Sequence, residues 1–180
     1  EILGRQLFIE SCPQYFNLTK DLFSHEDGRH YLLAPPLRSE EEKEKLKSNF
    51  DLINTIGTDH CPFLLEEKDR YTDANKVPKG IGGIEYSFIL MYTLFGDKII
   101  DRFTKNPAEI FGLTEKGTLA IGTDADIVIF NPTAETIITS GHSKSDYSPY
   151  EGFHAKGSIE STIVRGDFVI KNKELFKHKG

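Results

Sequence analysis

Two short apolar runs, each cut off by proline and joined through one amphipathic helix, constrain this chain more than any other feature. The second run ends in Asn54-Thr55-Ile56-Gly57-Thr58-Asp59-His60-Cys61-Pro62-Phe63. Its β-branched residues and glycine bring a carboxylate and an imidazole to the end of a short buried strand, and Pro62 blocks continuation. The first run, residues 6–11, is bounded in the same way by Cys12-Pro13. Between them Ala34-Pro35-Pro36-Leu37-Arg38 is extended, because each proline fixes its own φ and pushes the preceding residue out of the helical region. A helix then starts after Ser39, which stands at capping-box spacing from Glu42. Leu46, Phe50 and Ile53 fall on one face of it, opposite a solvated run of Glu and Lys. Strand, loop, helix, strand is the unit of a parallel sheet. An Asp at the carboxyl end of such a strand is where an α/β barrel places its chemistry, while the plainer reading of Asp59 is a turn former or helix cap.

Residues 64–80 read as a long polar loop, of a length that accompanies function or disorder, hung over the strand end that presents Asp59. Residues 82–95 are apolar nearly all round, with Ile84, Phe88, Met91, Tyr92 and Phe95 at helical spacing, and belong in a core. Two short helices follow: residues 97–104, and one with Asn106 as cap, Pro107 at its first position and Glu109 in its first turn. After Gly117 short β-rich runs dominate, at 118–121, 126–130, 136–138, 159–164 and 168–171, with Arg165-Gly166-Asp167 as a tight hairpin turn. The expected division is therefore residues 1–114 and a small β domain, residues 115–180. Within the latter, residues 141–157, carrying His142, Tyr147, Tyr150 and His154, form an irregular excursion, read as an interface arm or as surface. His25, Glu26, Asp27 and His30 crowd the loop of residues 17–31, but without a frame that converges their lone pairs. They read as solvated side chains rather than a metal site.

At 180 residues the chain is long enough to bury roughly 70% of its unfolded surface. Its net charge of −6, from 28 acidic and 22 basic residues without a basic block, argues against nucleic acid and against an anionic membrane surface. No apolar run approaches the roughly 18 residues of a membrane span, and Glu1-Ile2-Leu3-Gly4-Arg5 is no signal peptide. Cys12 and Cys61 read as two reduced thiols of a cytoplasmic protein.

Several stretches stand in the order known from one enzyme family: Glu10-Ser11-Cys12-Pro13-Gln14-Tyr15-Phe16, Ala34-Pro35-Pro36-Leu37-Arg38, residues 57–63, and Val77-Pro78-Lys79-Gly80 with Gly82-Gly83-Ile84-Glu85. Asn106-Pro107-Ala108-Glu109-Ile110-Phe111-Gly112-Leu113 and residues 122–130 continue the series. Over nearly its whole length the chain resembles the dihydropyrimidinase and hydantoinase family of cyclic amidohydrolases. The resemblance implies an α/β fold, the C-terminal part of a (β/α)8 TIM-like amidohydrolase barrel, followed by a small β-sandwich domain assembled from both chain ends. It implies hydrolysis of a small-molecule cyclic amide, a dihydropyrimidine or hydantoin, by an enzyme with two zinc ions that is a homo-oligomer, a tetramer in the parent. Such metals lower the pKa of bound water to about 7 and polarise the carbonyl. Asp59 matches the family's last-strand aspartate, both metal ligand and proton carrier; a carboxylate suits both tasks. The positions matching Ala34 and Lys79 hold the substrate ring through main-chain groups, where relatives often carry Ser and Asn. His60 and Cys61 are assignable either to the site lining or to a supporting or packing role.

The family's His-x-His pair, carboxylated lysine and two further histidines belong to earlier strands, and none of the six histidines here matches them. Together with the absence of an initiator methionine, this leads to the expectation that the chain is the carboxyl-terminal part of a longer enzyme. Alone it should be inactive and prone to self-association. Allantoinase and dihydroorotase are close enzymatic rivals. A non-catalytic scaffold such as the collapsin response mediator proteins, and a free-standing β module at residues 115–180, are readings of another class.

Overall fold

A computed structural model describes residues 6–176; Glu1 to Arg5, whose sequence was read above for a signal peptide, lie outside the described residues. Strand β1 (Glu10–Ser11) pairs in parallel with β2 (Thr55–Ile56), Glu10 opposite Thr55 and Ser11 opposite Ile56. Both are shorter than the runs read from the sequence, and the two ends of the ladder explain why. At one end the Asn54 side chain accepts the Ile9 N–H, and Leu7 and Phe8 stay exposed. At the other, Gly57 N–H still reaches the Ser11 carbonyl at 3.0 Å, but Pro13 has no N–H to offer and opens helix α1 (Pro13–Asn17). Two 3₁₀ turns, Lys20–Ser24 and Gly28–Tyr31, lead on to α2 (Glu40–Ser48).

The capping box at α2 is present: Ser39 Oγ accepts Glu42 N–H at 3.3 Å, and the Glu42 carboxylate accepts Ser39 N–H at 3.1 Å. The helix stops before Phe50 because the Asn49 amide turns back onto the Lys45 carbonyl at 2.8 Å, and Phe50–Leu52 continues as a 3₁₀ turn. Phe50 and Ile53 are buried all the same. The stretch expected to be a plain loop contains α3 (Leu65–Asp69), opened by the Glu67 carboxylate accepting Leu64 N–H at 2.8 Å.

Helix α4 (Ser87–Phe95) starts at Ser87 rather than at residue 82, so Ile84 stands outside it and is 57% exposed, while Ile89, Leu90 and Met91 are buried. A 3₁₀ turn at Gly96–Ile99 precedes α5 (Ile100–Phe103) and α6 (Lys105–Ile110). Asn106 lies inside α6 instead of capping it; its amide donates to the Asn54 carbonyl at 2.8 Å and ties α6 to the head of β2.

The later part is one antiparallel sheet of four strands in sequence order: β3 (Ile127–Ile137), β4 (His154–Val164), β5 (Asp167–Lys171) and β6 (Glu174–Leu175). The runs at 126–130 and 136–138 are two ends of β3, separated by register breaks that accommodate Pro132, which cannot donate to a ladder. No strand forms at 118–121. The Thr123 hydroxyl folds that stretch into a turn by accepting Ala120 N–H at 3.3 Å and facing the Ala120 carbonyl at 2.8 Å, leaving Leu119 and Ile121 exposed. Arg165 and Gly166, at φ of 50° and 88°, make the expected two-residue hairpin turn, and Asn172-Lys173, at 51° and 69°, make a second one.

Two apolar clusters hold these elements. In one, Phe16 meets Phe50 and Phe95 edge-on, at 5.8 and 5.6 Å between ring centroids, beneath Met91 and Ile99. In the other, Leu33, Leu37, Ile81 and Leu90 pack with Ile138, Tyr150 and Ala155, so residues from both sides of position 114 share it. Phe130 of β3 lies against Phe88 and Tyr92, which seats the sheet on α4. Among the described residues no helix is long and apolar enough to cross a membrane.

Candidate active site

Asp59 follows β2 by way of Gly57 and Thr58, and it is exposed. Its φ of 47° is left-handed, unlike the strand residue the sequence implied. That conformation costs an ordinary residue about 1 kcal/mol or more, and Asn and Asp tolerate it best. Residues held this way cluster at functional sites. Immediately after the turn, His60 bridges in parallel to Ile81, and Cys61 N–H bonds the Ile81 carbonyl at 3.0 Å.

The charge of Asp59 is felt on the neighbouring Cys12-Pro13-Gln14-Tyr15 segment. Burial, then Asp59, then Glu10 push the Cys12 thiol up to about 11. Raised in this way, the Cys12 thiol is poorly activated as a nucleophile at neutral pH. Burial foremost, then the Cys12 and Asp59 charges, also raise the Tyr15 phenol, against the opposing Arg38. That phenol donates to the Pro35 carbonyl at 2.9 Å, so the Ala34-Pro35 segment is tied beside the Asp59 turn.

Ala34 and Lys79, the other expected site residues, are both exposed. Their segments meet at the Leu32 carbonyl, which accepts Gly80 N–H at 3.0 Å and the Lys68 ammonium at 2.8 Å. The same ammonium reaches the Pro78 carbonyl at 3.0 Å. The Lys79 side chain folds back on its own loop, onto the carbonyls of Ala74 and Val77. The fold thus gathers the Asp59, Ala34 and Lys79 segments at one end of the β1–β2 pair, through intermediaries: Tyr15, Leu32, Gly80 and Lys68.

His60 has a definite structural part. Its Nδ1 accepts Gly83 N–H at 3.1 Å and Ile84 N–H at 3.3 Å, which places the proton of the neutral ring on Nε2 and fixes the turn before α4. His60→Ala leaves both N–H groups without that acceptor. Thermal denaturation is expected to show a loss of about 1–2 kcal/mol, which His60→Asn restores in part.

The excursion after β3 is neither irregular to residue 157 nor plain surface: β4 already starts at His154, and Tyr150 is 1% exposed. His142 meets the Glu85 carboxylate twice, through its N–H and through Nδ1, each at 2.7 Å. Ser145 Oγ donates to the Phe63 carbonyl at 2.9 Å, and the Tyr147 hydroxyl to that of His30 at 3.1 Å. This strap closes a cleft of about 250 Å³ lined by His60, Gly83, Glu85, His142, Ser145 and Tyr147 among others. Neither the strap's docking nor the buried Lys68 was read from the sequence. The available signal for Lys68 was its place on the helical face of Leu64 and Leu65, in a stretch otherwise polar.

In the 17–31 loop His30 pairs with Asp69 at 2.8 Å, with Arg29 at 3.7 Å from the same oxygen. Among the described residues no three His, Cys, Asp or Glu side chains converge as metal ligands. A zinc ion takes at least three protein donors, and this strand end offers the Asp59 carboxylate. The described residues therefore do not make a metal centre by themselves.

A parallel strand pair set among helices, followed by a four-stranded antiparallel sheet, makes this an α/β protein. A profile of the Amidohydrolase family matches residues 41–169, and the chain belongs to that family. Within it, the chain is similar to the D-phenylhydantoinase of Escherichia coli O81 (strain ED1a), at 33% identity over 178 residues, covering 91% of this chain and 39% of the relative. Among solved structures, the dihydropyrimidinase from Brevibacillus agri NCHU1002 superposes with a TM-score of 0.87 at 34% identity, covering 93% of this chain and 40% of that one. The D-hydantoinase (dihydropyrimidinase) from Thermus sp. does so with a TM-score of 0.89 at 30% identity, covering 98% and 42%. The resemblance read from the motifs holds, and the chain spans about two fifths of the length of these relatives.

Proposed function

We propose that the chain serves in a zinc-dependent hydrolase that opens cyclic amides, dihydropyrimidines or hydantoins, with residues 1–114 as the last part of a (β/α)8 barrel and 115–180 as a β-sandwich. The observation that carries this reading is the Asp59 turn: a carboxylate in a left-handed conformation just past β2, beside the Ala34 and Lys79 segments. The names of the relatives, a D-phenylhydantoinase and a dihydropyrimidinase, support the substrate class.

In this reading Asp59 contributes one oxygen donor to a two-metal site, and the remaining ligands come from outside the described residues. When bound, such metals supply a hydroxide at neutral pH and polarise the scissile carbonyl. Asp59 takes the proton of the attacking group and passes it to the departing ring nitrogen, so the nitrogen leaves neutral. The main-chain groups of Ala34 and Lys79 orient the ring. Backbone contacts survive a change of side chain, so Ala and Lys are compatible with that task. A barrel of this class takes about 250 residues, so the chain alone is inactive, and the working enzyme is a cytoplasmic homo-oligomer, a tetramer.

The experiment is a ring-opening assay of the complete gene product, loaded with zinc, on hydantoin and dihydrouracil. Formation of the N-carbamoyl amino acid from either is the expected result. No turnover of any of the four overturns it, and turnover of allantoin or dihydroorotate alone, a ureido-hydantoin and a carboxylated dihydropyrimidine, would make the chain part of an allantoinase or dihydroorotase instead.

A further inference from the structure

We propose that Lys68 is a positioning residue for the substrate-holding loops: its ammonium clamps the carbonyls of Leu32 and Pro78 and so fixes the backbone around Ala34 and Lys79. The role rests on the reading, given above, that those two segments hold the ring.

Lys68 has no exposed surface, although it lies in a segment that is polar and mostly exposed. Burying an ammonium is costly unless its donors are used. Here two of them reach main-chain carbonyls, Leu32 at 2.8 Å and Pro78 at 3.0 Å, and the Phe63 ring lies 5.5 Å from the charge. A methionine of similar length would fill the same space without that cost. The ammonium is therefore explained by what it holds.

What it holds is backbone with few means of its own. Pro35, Pro36 and Pro78 have no N–H, so ladder bonding across these stretches is curtailed. The main-chain bond that joins the two segments is Gly80 N–H to the Leu32 carbonyl at 3.0 Å, and Lys68 shares that same acceptor. The clamp is mounted on α3, and the Phe63 carbonyl just before it is the one that Ser145 of the strap bonds. Burial foremost, then the Lys79 charge, bring the Lys68 amine down to about 8, with Cys61 acting in the opposite sense.

The test compares the complete gene product with Lys68→Met and Lys68→Gln, whose amide can reach one carbonyl. Hydrogen exchange is read by mass spectrometry on peptides covering 77–81 and, as a control, 54–57. Lys68→Met is expected to speed exchange in the first peptide by roughly ten- to a hundred-fold, the worth of a charge-assisted bond or two, and to leave the control unchanged. KM for the ring substrate should rise by a similar factor with kcat within about threefold, and Lys68→Gln should fall between. Unchanged exchange overturns the clamp. Faster exchange with unchanged KM overturns its positioning role. Loss of the cooperative melt in both variants also overturns that role, since Lys68 would then be a folding residue. If wild type opens no ring, the proposed function fails, while the exchange arm still decides whether the clamp exists.

Discussion

Asp59→Asn is expected to lower kcat for ring opening by the complete gene product by roughly 10³–10⁴-fold, with stability changed by less than about 0.5 kcal/mol. Asparagine keeps the shape of the side chain and is the other residue that tolerates the left-handed φ of 47° found there. Asp59 is exposed, so no buried partner is orphaned by the change. What goes is the charge, and with it the means to bind a cation and carry a proton. The same substitution has a second readout, independent of turnover. The Asp59 charge helps to hold the Cys12 thiol up to about 11, so removing it lowers that value. In the metal-free protein carrying Cys61→Ser, alkylation of Cys12 at a fixed pH near 9 should then become faster. Activity within tenfold of wild type would contradict the assigned role, whatever the thiol does.

Phe16→Ala is expected to cost about 3–5 kcal/mol, a large share of the roughly 5–15 kcal/mol that holds a domain together. Phe16 is 0% exposed and stands edge-on to both Phe50 and Phe95, which are themselves stacked at 3.7 Å. The surrounding helices α2, α4 and α5 cannot all close in on the void. The loss also reaches the site, because Phe16 anchors the helix that carries Tyr15 and its bond to Pro35. Phe111→Ala, at a residue 71% exposed, is the matched control and should change little. Chemical denaturation of both variants checks the pair; a cost under about 1 kcal/mol at Phe16 would mean the cluster is not packed as described.

Local chemistry was legible in the sequence wherever its partners are near in the chain. The Ser39–Glu42 capping box and the Arg165-Gly166 turn each depend on residues a few positions apart, and both stand where they were read. Strand ends were not legible, because a ladder runs only as far as a distant partner runs beside it: β1 and β2 stop where Asn54 and Pro13 intervene. Asn106 has the residue type and spacing of a cap, yet its amide is taken by Asn54, 52 positions earlier. Ile84 fits the apolar stripe of α4, but His60 holds the preceding turn out of the helix.

At the site, the residue type of Asp59 and its place after a strand were readable, and its left-handed turn was not. The positions of Ala34 and Lys79 came from resemblance alone. Lys68 lay hidden because its burial depends on carbonyls 36 and 10 positions away. The strap's contact of His142 with Glu85, 57 positions apart, was hidden for the same reason.

The most direct measurement is the sequence that precedes Glu1 in the gene. If Asp59 is one ligand of a two-metal amide hydrolase, that sequence encodes a His-x-His pair, a mid-chain lysine and two later histidines on strands of the same barrel. Finding those positions filled by residues that bind no metal would leave Asp59 without partners, and would make the protein a scaffold that keeps the fold and has lost the chemistry.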